Sequence, residues 1–209
     1  MSFAVKEIFL TLQGEGINAG RRAVFLRFAG CNLWSGREED RAIAQCTFCD
    51  TDFVGLDGEE GGRYELGALV AKVSALWGDI GDDRLIVMTG GEPMLQVTDA
   101  LVDALHGAGF EVAMETNGTL PAAPGIDWLT VSPKAGTEVV QRSGQELKLV
   151  WPQKGIDPEA FRGWAFDHFL IQPMDGAGRD AWRAEALRYV MEHPGWRLSV
   201  QTHKMLGIP

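Results

Sequence analysis

Cys31, Cys46 and Cys49 are the only cysteines of the chain, spaced by fourteen residues and then by two, and an odd number of thiols cannot all pair as disulfides. A Cys-x-x-Cys pair presents two thiolates from one tight loop, and a third thiolate from a preceding strand end can complete three corners of a cubane [4Fe–4S] cluster. Three protein ligands leave one iron open to a molecule that carries adjacent amino and carboxylate groups. Zinc competes for the same thiols, because Cys-x-x-Cys also serves tetrahedral sites. It needs a fourth ligand, however, and segment 32–48 holds no histidine, while His106, His168, His193 and His203 lie far along the chain. A thioredoxin-like redox pair at Cys46-Thr47-Phe48-Cys49 is a further reading that leaves Cys31 without a role. On these residues alone, cluster, zinc site and redox or inert thiols all stay open.

Met88-Thr89-Gly90-Gly91-Glu92-Pro93 is the second segment with chemical potential. Its glycines let a ligand approach the backbone and meet exposed N–H groups. A plain strand-to-helix turn has the same composition, and Glu92-Pro93 suits a first helical turn, where proline is tolerated and a carboxylate favoured. Similar polar clusters, Gly30-Cys31, Thr116-Asn117, Pro133-Lys134, Met174-Asp175 and His203-Lys204, each follow an apolar run.

The elements that must position these groups show in the apolar, β-branched runs at 23–28, 84–89, 110–115, 127–132, 146–151, 168–173 and 197–202. They read as buried parallel strands. Helical periodicity at 65–77, 93–108 and 178–193 lies between some of them, the last two patterns stopping at Gly109 and at Pro194-Gly195. Strands alternating with helices give an α/β fold with parallel crossovers, whose ligand face is the C-terminal ends of the strands. Segments 116–126 and 133–145 lack a helical period. Since a full eight-fold barrel takes about 250 residues, the expectation is an incomplete, modified TIM-like (β/α) barrel of about six parallel strands with some abbreviated helices. A single domain over 1–209 is expected, with a cluster-binding loop at 31–49.

Bulk properties narrow the function. A net charge of −10 over 209 residues leaves no basic surface of the kind that neutralises phosphates, so nucleic acid is not the expected partner and a small molecule is. Lys6 and Glu7 interrupt what would have to be the apolar stretch of a signal peptide, and no window approaches the roughly 20 apolar residues of a membrane span. A cytoplasmic protein is expected.

Taken together, Cys31…Cys46-Thr47-Phe48-Cys49-Asp50 and Thr89-Gly90-Gly91-Glu92-Pro93 resemble the radical S-adenosylmethionine enzymes. The usual first spacing in that family is three residues rather than fourteen, so segment 32–45 reads as an insertion. Phe48 occupies the family's aromatic position before the last cysteine. Within the family, the chain is most similar to the 7-carboxy-7-deazaguanine synthases. Leu12-Gln13-Gly14-Glu15-Gly16, Arg27, Cys49-Asp50-Thr51, Glu115-Thr116-Asn117-Gly118-Thr119, Ser132-Pro133-Lys134, Gln172-Pro173-Met174-Asp175 and the terminal segment 201–209 carry that similarity.

The resemblance implies a lyase that converts 6-carboxy-5,6,7,8-tetrahydropterin to 7-carboxy-7-deazaguanine with loss of ammonia, in queuosine biosynthesis. It implies a [4Fe–4S] cluster on Cys31, Cys46 and Cys49, and S-adenosylmethionine against Phe48, Gly91, Ser132, Pro133, Lys134, Gln172, Pro173, Met174 and Asp175. Mg2+ would sit on Thr51. The pterin would lie along Leu12, Gln13, Gly14 and Glu15, with Arg27 on its carboxylate and Thr89, His203 and the Pro209 carboxylate nearby. A one-electron donor such as flavodoxin and a homodimer are implied as well. A glycyl-radical activase acting on a partner protein would share the cluster and a short barrel. Plainer roles exist for several residues: a paired buried Arg27, a turn-forming Glu15, a satisfied strand-end His203, a loop Thr51. The tryptophans read as packing, with Trp34 placed to shield the thiols from solvent.

Overall fold

The computed structural model describes residues 2–209. One mixed sheet of nine strands, in the order β3-β1-β2-β4-β5-β6-β7-β8-β9, forms the body of the protein. Strands β2 (Arg22–Phe28), β4 (Arg84–Gly90), β5 (Phe110–Thr116), β6 (Trp128–Val131), β7 (Ser143–Trp151), β8 (Ala165–Pro173) and β9 (Arg197–Leu198) run parallel. Two antiparallel strands, β1 (Ser2–Leu12) and β3 (Gly62–Glu65), extend the β2 side. The sheet stays open, with β3 and β9 at its two edges. The expected α/β fold with parallel strands is present, but as seven parallel strands in an open sheet of nine rather than about six in an incomplete (β/α) barrel.

Every parallel strand lies on one of the seven apolar runs, although the last run yields only two residues of strand before the chain turns into helix α4 (Thr202–Leu206). Strand β1 was not legible because its charged residues break the alternation. The register shifts between Val5 and Glu7, a β-bulge that leaves Lys6 as the extra residue. The bulge resets the side-chain phase, so Val5 and Ile8, three apart, are both fully buried.

Helices α1 (Leu66–Trp77), α2 (Asp99–Gly107) and α3 (Arg179–Glu192) sit between strands. Leu69, Val73 and Trp77 of α1 and Leu101, Val102 and Leu105 of α2 join the main core against one face of the sheet. The expected helix at 93–108 is two pieces, a 3-10 turn Pro93–Leu95 and then α2, because Thr98 at the N-cap of α2 is extended (φ −130°, ψ 159°). The β5–β6 and β6–β7 connections contain no helix. On the opposite face Ala23, Leu85, Val87 and Ala113 form a small apolar cluster with Phe25 and Trp128. No helix among the described residues is long and apolar enough to cross a membrane.

Candidate active site

The C-terminal ends of the parallel strands surround one cavity of about 380 Å³. Every residue proposed from sequence for cluster, cofactor, magnesium or substrate lines it except Pro133, which stands between two that do. The order of the sheet brings them together, since Arg27, Thr89, Thr116 and Gln172 lie at or near the C-terminal ends of β2, β4, β5 and β8.

The thiols occupy one wall. Cys31 follows β2, and Cys46 and Cys49 lie on the loop after the 3-10 turn Glu38–Ile43. A hydrogen bond shared by the Cys46 and Cys49 thiols pulls Cys49 down to about 6 and pushes Cys46 up. Burial raises Cys31, against the amides of Leu33 and Trp34. One thiolate is therefore available near neutral pH, as metal binding requires. No group of three or more His, Cys, Asp and Glu among the described residues stands close enough to enclose a single metal ion. His106, His168 and His193 line no part of the cavity; His106 pairs with Asp127, and His168 stacks on Trp128.

Next to the thiols, the Gly90-Gly91 backbone presses on the end of β2. A Cβ on Gly91 would collide with the Gly30 carbonyl and with Cβ of Cys31. Glu92 then turns away from the cavity and is fully buried, accepting hydrogen bonds from Met94 N (2.9 Å), Thr116 Oγ1 (2.7 Å) and Asn117 N (2.8 Å). It welds the glycine turn to the end of β5. Lys134, half-buried, donates to both the carbonyl and the hydroxyl of Ser132 and lies 5.9 Å over the Phe48 ring; desolvation depresses its pKa.

The other wall is polar and charged. Arg27 donates from Nε to Glu7 Oε1 at 2.7 Å, while its Nη groups have no protein partner among the described residues. The Arg27 position pairs with Thr89 across β2 and β4. Deeper, Lys148 of β7 bridges Glu15 (2.5 Å) and Glu115 (2.9 Å). Gln13 donates to Glu115 Oε1 and Gln201 to Glu15 Oε1. Burial works against the Glu15 charge, but the Lys148 ammonium and its hydrogen bonds hold that carboxylate down to about 2. Burial likewise opposes the Lys148 charge, and Glu115 and Glu15 outweigh it, raising its pKa.

The C-terminal segment closes the rim. His203 sits in α4 rather than at a strand end, its ring so near Gly14 that any side chain there would strike it. Thr202 donates through both N–H and Oγ1 to the Gly14 carbonyl at 2.9 Å. Thr11 Oγ1 donates to Pro209 O at 2.9 Å. Lys204 spans Asp50 and Asp175, joining the loop after Cys49 to the loop after β8.

No family model matches the sequence. The chain is 59% identical over 210 residues to the 7-carboxy-7-deazaguanine synthase of Bordetella pertussis and 61% identical over 210 residues to that of Caulobacter vibrioides, each match covering the whole of both chains. The chain belongs to the 7-carboxy-7-deazaguanine synthase family. It is accordingly an enzyme. The crystal structure of QueE from Escherichia coli has a similar fold, with a TM-score of 0.74 at 26% identity over 97% of this chain and 95% of that one.

Several residues of this cavity carry no local signal of their role in the sequence. Lys148 lies inside a run that reads as strand interior and Glu7 within a strand that no apolar run marks, while Glu115 belongs to the 115–119 motif but has no role assigned by it. A charged residue at an otherwise buried strand position is their only mark. Glu92 was read as a helix-capping carboxylate, and it does cap Met94; its link to β5 needed the fold.

Proposed function

We propose that the chain is a radical S-adenosylmethionine lyase converting 6-carboxy-5,6,7,8-tetrahydropterin to 7-carboxy-7-deazaguanine, with loss of ammonia, in the deazapurine route to queuosine. One observation carries this reading: in a member of the synthase family, three thiols and a strip of guanidinium, carboxylate and amide groups face each other across a single cavity. The donor set fits an iron–sulfur cluster, because it is all sulfur and one thiol is already acidic. Cys31, Cys46 and Cys49 would hold it. When bound, the cluster and S-adenosylmethionine would supply the one-electron, hydrogen-abstracting chemistry that the conversion needs.

The remaining roles belong to the protein's own groups. Gly91 lacks a side chain, so its backbone can meet the cofactor's methionyl part, and Phe48, Ser132, Lys134 and Gln172 to Asp175 line the rest of that lobe. Pro133 stands between Ser132 and Lys134 at that lobe. Arg27, with Nε pinned by Glu7, offers its Nη pair to the substrate carboxylate. Glu15, ionised and acceptor-only, takes N–H bonds from the heterocycle together with Gln13 and the backbone of Leu12 and Gly14. Thr89, His203 and the Pro209 carboxylate close around the ring. Thr51 faces the same cavity, and its hydroxyl suits a magnesium ion that keeps most of its waters. A one-electron donor of flavodoxin type, a homodimer and a cytoplasmic location complete the reading. No observation favours an activase.

Anaerobic reconstitution followed by assay with the carboxytetrahydropterin tests the proposal. About four irons and four acid-labile sulfides per chain, and formation of the deazaguanine, are expected. Zinc without sulfide, or a reconstituted protein that binds S-adenosylmethionine yet leaves the pterin unchanged, would overturn it.

A further inference from the structure

The fourteen residues that separate Cys31 from Cys46 are organised around one guanidinium. Arg41, in the 3-10 turn Glu38–Ile43, lies over the Trp34 ring at 4.0 Å from its centroid. Trp34 is itself buried, edge-on to Phe53 and donating from Nε1 to Arg37 O at 3.1 Å. The fork of Arg41 is fully used. Nε and Nη2 grip the Glu38 carboxylate, while Nη1 donates to Thr47 O and to Cys49 O, both at 3.0 Å. Both carbonyls belong to the loop that carries Cys46 and Cys49.

In a trans peptide the C=O and N–H point in opposite directions, and the Thr47–Phe48 bond is trans. A carbonyl drawn outward by Arg41 therefore aims the amide of its own peptide unit inward. The Phe48 N–H faces the Cys46 sulfur. Cys31 has a comparable donor, Leu33 N–H at 3.4 Å from its Sγ, while the Cys49 thiol donates to the Thr51 carbonyl at 3.9 Å. Hydrogen bonds to ligand sulfurs are among the main determinants of an iron–sulfur potential, since they favour the more negative, reduced cluster.

We infer that Arg41 is a positioning residue of the cluster centre: by holding the Thr47 carbonyl outward it keeps the Phe48 N–H on the Cys46 sulfur, and by tying the Cys49 carbonyl it fixes the loop between the two thiols, and thereby raises the cluster's reduction potential and slows its loss. The inference rests on the cluster reading proposed above, and it assigns the insertion at 32–45 a task. A lysine cannot substitute, because an ammonium has no planar fork to hold Glu38 and two carbonyls at once.

The test compares wild type with Arg41→Lys, Arg41→Gln and the peripheral Glu38→Gln. Midpoint potentials of the reconstituted proteins are read by titration under paramagnetic resonance, and amide exchange of residues 46–50 is followed in the iron-free proteins. Both Arg41 variants should have more negative potentials than wild type, and segment 46–50 should exchange several-fold faster. Glu38→Gln, which leaves Arg41 in place but loosens it, should shift both readouts the same way by less. Arg41→Lys matching wild type would show that charge alone matters and would overturn the inference, as would unchanged exchange in the iron-free Arg41 variants. Wild type that takes up no iron would instead sink the cluster reading, and the inference with it.

Discussion

Arg27 reaches the cavity with one edge committed to Glu7 and the other facing the ligand space. Hydrogen bonds to charged groups contribute about 1.5–3 kcal/mol, so Arg27→Lys, which forfeits the fork, should raise KM for the carboxypterin roughly 10- to 150-fold. Steady-state kinetics that find KM unchanged would remove Arg27 from the carboxylate. Gly91 matters for a different reason: the atoms a Cβ would meet belong to the Gly30 backbone and to the Cβ of Cys31, and neither can swing aside. Gly91→Ala should accordingly retain far-ultraviolet circular dichroism while losing iron after reconstitution. Full iron loading would show that the turn relaxes. Both positions stood out in the sequence, one as an arginine in an apolar strand and one as half of a Gly-Gly pair. Lys148 did not, because a charge inside a strand run says nothing about what lies across the sheet, and Glu115 stood only as part of the 115–119 motif, without its partner.

At the scale of elements, the two ends of the chain meet. The β1 end supplies Thr11 and Gly14, and α4 with the residues after it supplies Thr202, His203 and Pro209. Met205 and Leu206 are exposed, so removing Met205 to Pro209 takes nothing from the core. That truncation should leave the thermal midpoint within about 2 °C of wild type and raise KM for the pterin; an unaltered KM would count against a role for the Pro209 carboxylate. The parallel strands were readable in advance because they are continuous apolar runs. Helix α4 was hidden behind an apolar run at 197–202 whose β pairing ends after Leu198.

For the whole molecule, the consequential feature is a buried ammonium between two carboxylates from distant parts of the chain. Lys148 joins Glu15, before β2, to Glu115 at the end of β5. The Glu15 carboxyl is depressed from an ordinary 4.5 to about 2. A depressed acid stabilises the fold above its unfolded value, and that contribution, on the order of 3 kcal/mol here, fades as pH falls from about 4.5 towards 2. Acid unfolding should therefore steepen in that window. Lys148→Met should flatten the slope and cost up to about 3 kcal/mol at neutral pH, since it strands two partly buried carboxylates. Denaturant titrations across pH would reveal it, and a variant as stable as wild type would mean that water reaches the pair.

Sequence alone determined the run of parallel strands, the glycine turn after β4, the three thiols and the face on which they gather, because each is written in local periodicity or in residue type. The tertiary structure decided that the sheet remains open, that an antiparallel strand bulged at Lys6 lies beside β2, and that Glu15, Glu115 and Lys148 converge on the cavity wall. Those outcomes depend on strand order and register, which couple residues up to 133 positions apart, and no short window of sequence carries that information.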